Sequence, residues 1–184
     1  MIDYGPTVDF KHKIIYNIVC LSKGIIMKKL ILFLALFAIN SDINASDPND
    51  ERYWLALNIY FEAGNQSEAG RIAVALVTMN RVDSWQYPDD VDQVVTQGPT
   101  MVNWKGNTLP VKHMCQFSWF CDGKADIPED SKTWEECLII AEKVLYGMYD
   151  FTEGATHYHN DSVDPYWNKH LQHVVTIDNH LFYK

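Results

Sequence analysis

The carboxylate with the strongest chemical signal in the sequence is Glu62, within the run Tyr60-Phe61-Glu62-Ala63-Gly64. An apolar pattern of helical spacing leads up to this glutamate, and Gly64 offers a helix end directly after it. Backbone carbonyls at a helix C-terminus and neighbouring aromatic rings both disfavour an ionised carboxylate. The position therefore predicts a raised pKa and a general acid that can protonate a glycosidic oxygen. On spacing alone, a solvated helix-end glutamate is the commoner case.

A second set of polar side chains, Gln116-Phe117-Ser118, is enclosed by Cys115 and Cys121. An amide and a hydroxyl on a loop closed by a disulfide would suit hydrogen bonding to sugar hydroxyls or N-acetyl groups. The competing interpretation is a turn whose polar side chains are already satisfied. Cys115–Cys121 is the preferred disulfide. A Cys121–Cys137 pair and three free thiols remain open, because spacing does not choose among them.

Two histidines, His157 and His159, flank Tyr158 near the C-terminus. Residues two apart in a β-strand share a face, an arrangement that suits zinc ligation. The sequence contains neither an HExxH motif nor paired CxxC motifs, so we assign no metal ligand and no cofactor. A zinc-dependent peptidase or amidase that uses this pair is the alternative hypothesis. The candidates to complete its site are His113, His170, His173 or His180.

Aromatic side chains are abundant, with 6 Trp, 10 Tyr and 8 Phe among 184 residues. Their rings stack on the apolar faces of sugars as well as packing in a core. Candidate substrate-binding residues are therefore Tyr60 beside Glu62, and Tyr166 and Trp167 after the histidine pair. His157, Tyr158 and His159 are predicted to bind substrate as well. A non-catalytic glycan-binding module that uses the tryptophans is a third hypothesis.

The charge balance argues against a nucleic-acid partner. The net charge is −9, from 24 acidic and 15 basic residues. Sequence-independent binding to nucleic acid needs clustered lysine and arginine, and no such cluster follows residue 46. With 47% hydrophobic residues, the chain has enough apolar material for the core of one domain. A monomer is favoured.

The N-terminal part is typical of a targeting segment. Met27-Lys28-Lys29 is a short basic start, and the apolar run that follows is too short to span a bilayer. Residues 27–45 are therefore predicted to be a signal peptide cleaved after Ala45, which places the protein in the periplasm or outside the cell. An uncleaved membrane anchor is the alternative. Residues 1–26 are interpreted as a non-native extension, because Lys23-Gly24 must be encoded by an A-rich stretch resembling a ribosome-binding site.

The elements that must position these residues follow from periodicity and capping signals. Four helices are predicted, at about 47–63, 67–83, 91–97 and 131–146, with N-cap residues such as Asp47 and Ser67. Residues 98–130 form a long irregular stretch. Short strands are predicted at 155–160, 174–177 and 181–183, with a turn at Asp178-Asn179. Residues 46–184 are thus predicted to form a single α+β domain, mostly helical, with a small C-terminal antiparallel sheet.

In this order, the motifs resemble those of the cell-wall hydrolases typified by the spore cortex-lytic enzyme. The resemblance spans about residues 53–183. In that family a catalytic glutamate is followed by Ala-Arg-Gly-Glu, whereas this chain has Ala63-Gly64-Asn65-Gln66. The matching blocks are Leu57 to Ala63 with Gly70 to Ala75 and Asn80-Arg81-Val82, Cys115 to Ser118 with Cys121-Asp122-Gly123, and Gly154 to His159 with Pro165-Tyr166-Trp167 and His180 to Tyr183.

The resemblance implies a lysozyme- or transglycosylase-like fold that acts on peptidoglycan. It assigns Glu62 as the catalytic residue and implies lytic transglycosylation, in which one glutamate serves first as acid and then as base. This route needs no second carboxylate, unlike most glycoside hydrolysis. Plain hydrolysis stays open, with Asp122 or Asp161 as the second carboxylate. Glu68, at a helix start, is expected to stay ionised as a structural charge.

Overall fold

The computed structural model describes residues 50–184, so the predicted extension at 1–26, the predicted signal peptide at 27–45 and the predicted cap at Asp47 lie outside the described residues. In chain order the helices are α1 (Glu51–Ala63), α2 (Glu68–Val82), α3 (Val91–Val95) and α4 (Ser131–Leu145). The strands are β1 (Thr100–Val102), β2 (Thr108–Pro110), β3 (His157–Asn160), β4 (His173–Ile177) and β5 (His180–Tyr183). None of the helices between residues 50 and 184 is long and apolar enough to cross a membrane.

Helices α1 and α2 begin where a side chain satisfies one of their free N–H groups. The Asp50 side chain accepts a hydrogen bond from the Arg52 N–H, and Ser67 does the same for Gly70. Helix α1 ends at Ala63, and the backbone N–H of Gly64 still bonds to the Tyr60 carbonyl. Glu62 therefore lies in the last turn of α1, as the sequence predicts.

The core lies between α1, α2 and α4, with α3 and the 3-10 turn Ser118–Cys121 closing one side. Its central side chains are apolar residues of α1 and α2, such as Leu55, Ile59 and Ala75, which are fully buried. A second cluster joins α2 to the sheet, because Ala73 and Val77 pack against Phe182 of β5. Helix α2 thus fixes the sheet relative to α1 and its glutamate.

The C-terminal sheet is antiparallel, with the strand order β3-β5-β4. Strand β3 pairs with β5 so that Tyr158 faces Phe182 and Asn160 faces His180. Tyr158, Asn160, His180 and Phe182 lie on the face toward the helices, because side chains alternate along a strand. The predicted α+β class, with mostly helical content and a small C-terminal antiparallel sheet, is confirmed.

Residues 98–130 are less irregular than predicted. Strands β1 and β2 form an antiparallel hairpin in which Met101 faces Leu109. Its turn is closed by the Asn103 side chain, which accepts hydrogen bonds from the backbone N–H groups of Lys105 and Asn107. Each strand has only three residues and most of them are exposed, so burial imposes no readable alternation on the sequence.

Candidate active site

Glu62 opens onto a groove of about 590 Å³ between the helices and the sheet. One wall comes from the end of α1 and the loop that follows it, and the other from the ends of β3 and β5. Glu62 is the one carboxylate among the described residues that line it. The lining residues are Tyr60, Phe61, Glu62, Gly64, Asn65, Gln66, Thr133, Asn160, Asn179 and His180.

The Glu62 carboxyl is held by Tyr158 of β3, whose hydroxyl donates a hydrogen bond to Oε2 at 3.0 Å. Burial raises the pKa of Glu62 above its usual value, while this hydrogen bond and the charge of Arg81 lower it; burial is the larger effect. The shift is in the direction predicted from the sequence. Burial and the neighbouring Glu62 raise the pKa of the Tyr158 hydroxyl well above its usual value, so it stays a donor.

Arg81 supplies the positive charge behind this pair. It is only 5% exposed and lies in the last turn of α2, between Met79 and Val82. Nε donates to the Thr156 carbonyl at 2.8 Å, and the guanidinium carbon lies 5.3 Å from the centre of the Tyr87 ring and 4.9 Å from that of Phe117. Rings on which the guanidinium stacks hold it in place without neutralising it. The guanidinium therefore stays a fixed cation near the glutamate.

Arg81 was not predicted as a site residue. A signal was present, since an arginine among Val77, Met79 and Val82 in a helix of the core requires a partner for its charge. The sequence does not reveal that partner, because Glu62 and Tyr158 reach Arg81 only through tertiary packing.

The aromatic residues beside Glu62 mainly shape the end of α1. The Phe61 ring stacks on Trp119, with centroids 4.8 Å apart, and the Trp119 indole N–H donates to Asn58 Oδ1 at 3.0 Å. The Tyr60 hydroxyl accepts hydrogen bonds from the backbone N–H groups of Glu129 and Asp130, each at 3.0 Å. Tyr60 also lines the groove, and substrate binding by this residue stays a prediction.

The Gln116 loop has a structural part and an exposed part. Phe117 is buried beneath Arg81, whereas Gln116 and Ser118 are exposed and lie outside the groove lining. Cys115 and Cys121 form a disulfide, with Cα atoms 6.1 Å apart. Cys137 is a buried free thiol in α4, and burial raises its pKa to about 11. The structure thus brings Phe117, but not Gln116 or Ser118, into the surroundings of the site.

His157 and His159 lie on the face of the sheet opposite Tyr158 and Glu62. The His159 ring stacks on Tyr183 at 5.3 Å, and the Trp167 ring meets both histidines, at 5.1 and 5.5 Å. Trp167 therefore packs over this face of the sheet, while Tyr166 is largely exposed. The structure does not bring these four predicted residues into the groove.

The hydrogen bonds of His159 leave no ring nitrogen free for a metal. Nδ1 lies 2.9 Å from the Asn160 carbonyl, which can only accept, so Nδ1 carries the proton. Nε2 then accepts from the Tyr183 hydroxyl at 3.1 Å. Between residues 50 and 184 there is no group of three or more His, Cys, Asp or Glu arranged to hold a metal ion.

The two candidate second carboxylates also lie outside the groove lining. Asp122 pairs with Lys124 at 3.3 Å, and a hydrogen bond from the Lys124 backbone N–H lowers its pKa. The Asp161 N–H donates to the Asn179 carbonyl at 2.8 Å. Asp161 therefore ties β3 to the β4–β5 turn that forms one wall of the groove.

That wall is anchored to α2 through the β4–β5 turn. Asp178 has φ of 52°, and its Oδ2 accepts hydrogen bonds from the N–H and the hydroxyl of Ser67 at 3.0 and 2.7 Å. A Cβ at Gly70 would lie 2.5 Å from the same oxygen, so only glycine leaves room for the turn at this point of α2. The anchor places Asn179 and His180 against the groove. Sequence reasoning assigned neither residue a site there.

Comparisons with known proteins agree with this fold. Residues 65–183 match the model of the cell wall hydrolase family. The fold is similar to the catalytic domain of the germination-specific lytic transglycosylase SleB from Bacillus anthracis, at 22% identity and a TM-score of 0.54, over 79% of this chain and 98% of that chain. It is also similar to the catalytic domain of the Bacillus cereus SleB protein, at 21% identity and a TM-score of 0.52, over 79% of this chain and 100% of that chain. A comparison with curated proteins found no match.

The chain belongs to the cell wall hydrolase family, and the resemblance seen in its motifs is confirmed. It is an enzyme that acts on peptidoglycan. The family match begins three positions after Glu62, so the role of this glutamate rests on the geometry of the groove.

Proposed function

We propose that the protein is a lytic transglycosylase in which Glu62 acts on the bond between N-acetylmuramic acid and N-acetylglucosamine. The observation that carries the proposal is the setting of Glu62. It is the one carboxylate among the described residues that line the groove, its pKa is raised, and Tyr158 holds it near the buried Arg81. Hydrolysis by most glycosidases uses two carboxylates, on either side of the bond. A single carboxylate suits a reaction in which one group handles both proton transfers.

The first half of the reaction uses Glu62 as an acid. Its proton goes to the oxygen that links C1 of the muramic acid to the next sugar, the C1–O bond breaks, and its electron pair stays on that oxygen. The muramic acid becomes oxocarbenium-like, and Glu62 is left as a carboxylate. The Tyr158 hydroxyl and the charge of Arg81 stabilise this anion, since both lower the pKa of Glu62.

The second half uses the same carboxylate as a base. Glu62 takes the proton of the C6 hydroxyl of the muramic acid while O6 bonds to C1 and closes an anhydro ring. The glutamic acid is thereby regenerated and no water is consumed. The raised pKa suits both halves, because a catalytic group works best when its pKa is near the working pH.

Replacement of the acid tests this assignment. Glu62→Gln keeps the size and one oxygen but removes the acidic proton, so we expect kcat to fall by about 10²–10⁴. Mass spectrometry of digested peptidoglycan measures the anhydro-muramic products. Asp161→Asn is the matched control, since it also neutralises one carboxyl near the groove and should leave the product pattern unchanged. Anhydro products at the wild-type rate from Glu62→Gln would reject the assignment.

The family membership implies action on the cell wall outside the cytoplasm. We propose that residues 27–45 direct export and are removed after Ala45, as their basic start and apolar run predict. N-terminal sequencing of the exported protein should begin at Ser46. Retention of residues 27–45 in the exported form would contradict the proposal.

A further inference from the structure

Two buried polar atoms of residues that line the groove have no hydrogen-bond partner. They are Asn179 Oδ1 and His180 Nδ1, on adjacent residues at the start of β5. Among the described residues, only Arg81 Nη1 and Gln97 Oε1 share this condition. His180 is only 6% exposed although its ring lines the groove. A buried polar atom without a partner costs free energy and calls for an explanation.

The backbone around the two residues is held firmly, so their lack of partners does not come from a loose turn. The Asn179 carbonyl accepts from the Asp161 N–H at 2.8 Å, and Asp178 is bonded to Ser67 at the start of α2. The His180 ring also meets the Tyr158 ring edge-on, with centroids 5.3 Å apart. The wall is therefore preorganised around two unused hydrogen-bonding atoms, which lowers the cost of binding a ligand there.

We propose that Asn179 and His180 bind the acetamido group of an N-acetylated sugar in the groove. Asn179 Oδ1 would accept the amide N–H, and His180 Nδ1–H would donate to the amide carbonyl. The proposal rests on the proposed function, since it takes the glycan strand as the occupant of the groove. It adds that the enzyme selects glycan by its N-acetylation through these two residues.

The chemistry of the two atoms favours an amide over other partners. An asparagine oxygen can only accept, and a neutral imidazole carries its proton on one ring nitrogen, so a group with one donor and one acceptor satisfies both. Burial lowers the pKa of His180, which favours the uncharged ring, so the ring brings no ionic attraction for a carboxylate. An acetamido group presents the required donor and acceptor as two separate atoms in one rigid plane. A sugar hydroxyl donates and accepts through the same oxygen.

Binding to an inactive enzyme tests the proposal separately from catalysis. In a Glu62→Gln background, calorimetry would measure binding of a tetrasaccharide of alternating N-acetylglucosamine and N-acetylmuramic acid and of its de-N-acetylated counterpart. The same pair of ligands would be titrated into Asn179→Ala and His180→Phe versions. His180→Phe keeps a ring against Tyr158 and removes both nitrogens. Gln97→Met is the matched control, because it also removes an unpartnered buried oxygen but lies outside the groove lining.

We expect each groove variant to weaken binding of the acetylated ligand by about 3- to 10-fold, the effect of one lost hydrogen bond. Binding of the de-N-acetylated ligand should change much less, and Gln97→Met should alter neither. Equal losses for both ligands in both groove variants would overturn the proposal, as would equal affinity of the unaltered groove for the two ligands. Mass spectrometry of the ligand after titration shows whether Glu62→Gln still cleaves it. Cleavage would contradict the proposed catalytic role of Glu62. The acetylated and de-N-acetylated ligands would then be compared as disaccharides, which are shorter and stay uncleaved.

Discussion

The two faces of the C-terminal sheet have different roles, although the motif His157-Tyr158-His159 contributes side chains to both faces. On the face toward the helices, Tyr158 bonds to Glu62 and His180 lines the groove. On the opposite face, His157 and His159 pack against Trp167, and His159 bonds to Tyr183. Residues that are neighbours in the sequence are thus separated by the thickness of a sheet.

Alternation of side chains along β3 decides which residues of this motif reach the catalytic glutamate. In His157-Tyr158-His159 the histidines attract attention because imidazole is a frequent catalytic group and metal ligand. The structure places the tyrosine at the glutamate instead. The histidines join the layer of aromatic side chains that covers the outer face of the sheet.

Removal of the Tyr158 hydroxyl should give the largest difference between the two faces. Tyr158→Phe removes the hydrogen bond that lowers the pKa of Glu62, so that pKa rises further. The anion formed after the first proton transfer also loses support, and we expect kcat to fall about 10- to 100-fold, the effect of a hydrogen bond to a charged group. The alkaline limb of the pH–rate profile should move to higher pH. An unchanged profile would show that this hydrogen bond does not act on the catalytic proton.

The matched change on the outer face should affect stability rather than catalysis. His159→Phe keeps a ring beside Tyr183 but removes the imidazole hydrogen bonds to the Asn160 carbonyl, the Tyr183 hydroxyl and the Asn168 side-chain amide. We expect a loss of about 1–3 kcal/mol in the free energy of unfolding, measured in urea, because the Tyr183 hydroxyl loses its partner. Activity per folded molecule should stay within about threefold of wild type. A loss of activity as large as that of Tyr158→Phe would contradict the division between the faces.

A smaller effect should come from the turn at residues 150–154, which precedes β3. Burial alone would raise the pKa of Asp150, but hydrogen bonds from Thr152, Gly154 and Asn80 bring it below its usual value of 3.8. Because the folded-state pKa is depressed, the stabilisation is present above the unfolded-state value and is lost as the pH falls through the folded-state value.

Asp150→Asn should therefore reduce the free energy of unfolding at neutral pH, with less difference from wild type as the pH falls below about 4. Thermal unfolding at a series of pH values measures the effect. Activity per folded molecule should remain near that of wild type, because Asp150 does not line the groove. A difference from wild type that stayed constant down to pH 2 would exclude the ionised carboxylate as its source.

The smallest effect is expected from a metal chelator. The two nitrogens of His159 are engaged within the protein, so neither is free to ligate zinc. EDTA, followed by removal of the chelator, should leave the rate of peptidoglycan cleavage unchanged. Loss of activity that added zinc restores would favour the peptidase or amidase hypothesis and give the histidine pair a catalytic role.

The fold could be predicted closely where capping and periodicity act locally. The bounds of α2 and of β4 and β5 fall within a few residues of those predicted, because Ser67 caps the helix and Asp178-Asn179 form the turn between the strands. The hairpin of β1 and β2 could not be predicted, since its strands are short and exposed on both faces.

The site could be predicted only in part. Glu62 stands at the helix end that the sequence indicates, and the direction of its pKa shift follows from that setting. Arg81, Asn179 and His180 reach the site through contacts between distant segments, and no local pattern encodes such contacts. The sheet face of Tyr158 is set by the pairing of β3 with β5, which fixes its register.

The central claim is that one carboxylate, Glu62, performs both proton transfers, so that no water enters the product. Digestion of purified peptidoglycan by the wild-type enzyme in water enriched in heavy oxygen tests this claim directly. We predict muropeptides that end in anhydro-muramic acid and carry no heavy oxygen at C1, as mass spectrometry would show. Reducing-end muramic acid that carries heavy oxygen would contradict the claim, because it requires a water molecule as nucleophile and a second group to activate it.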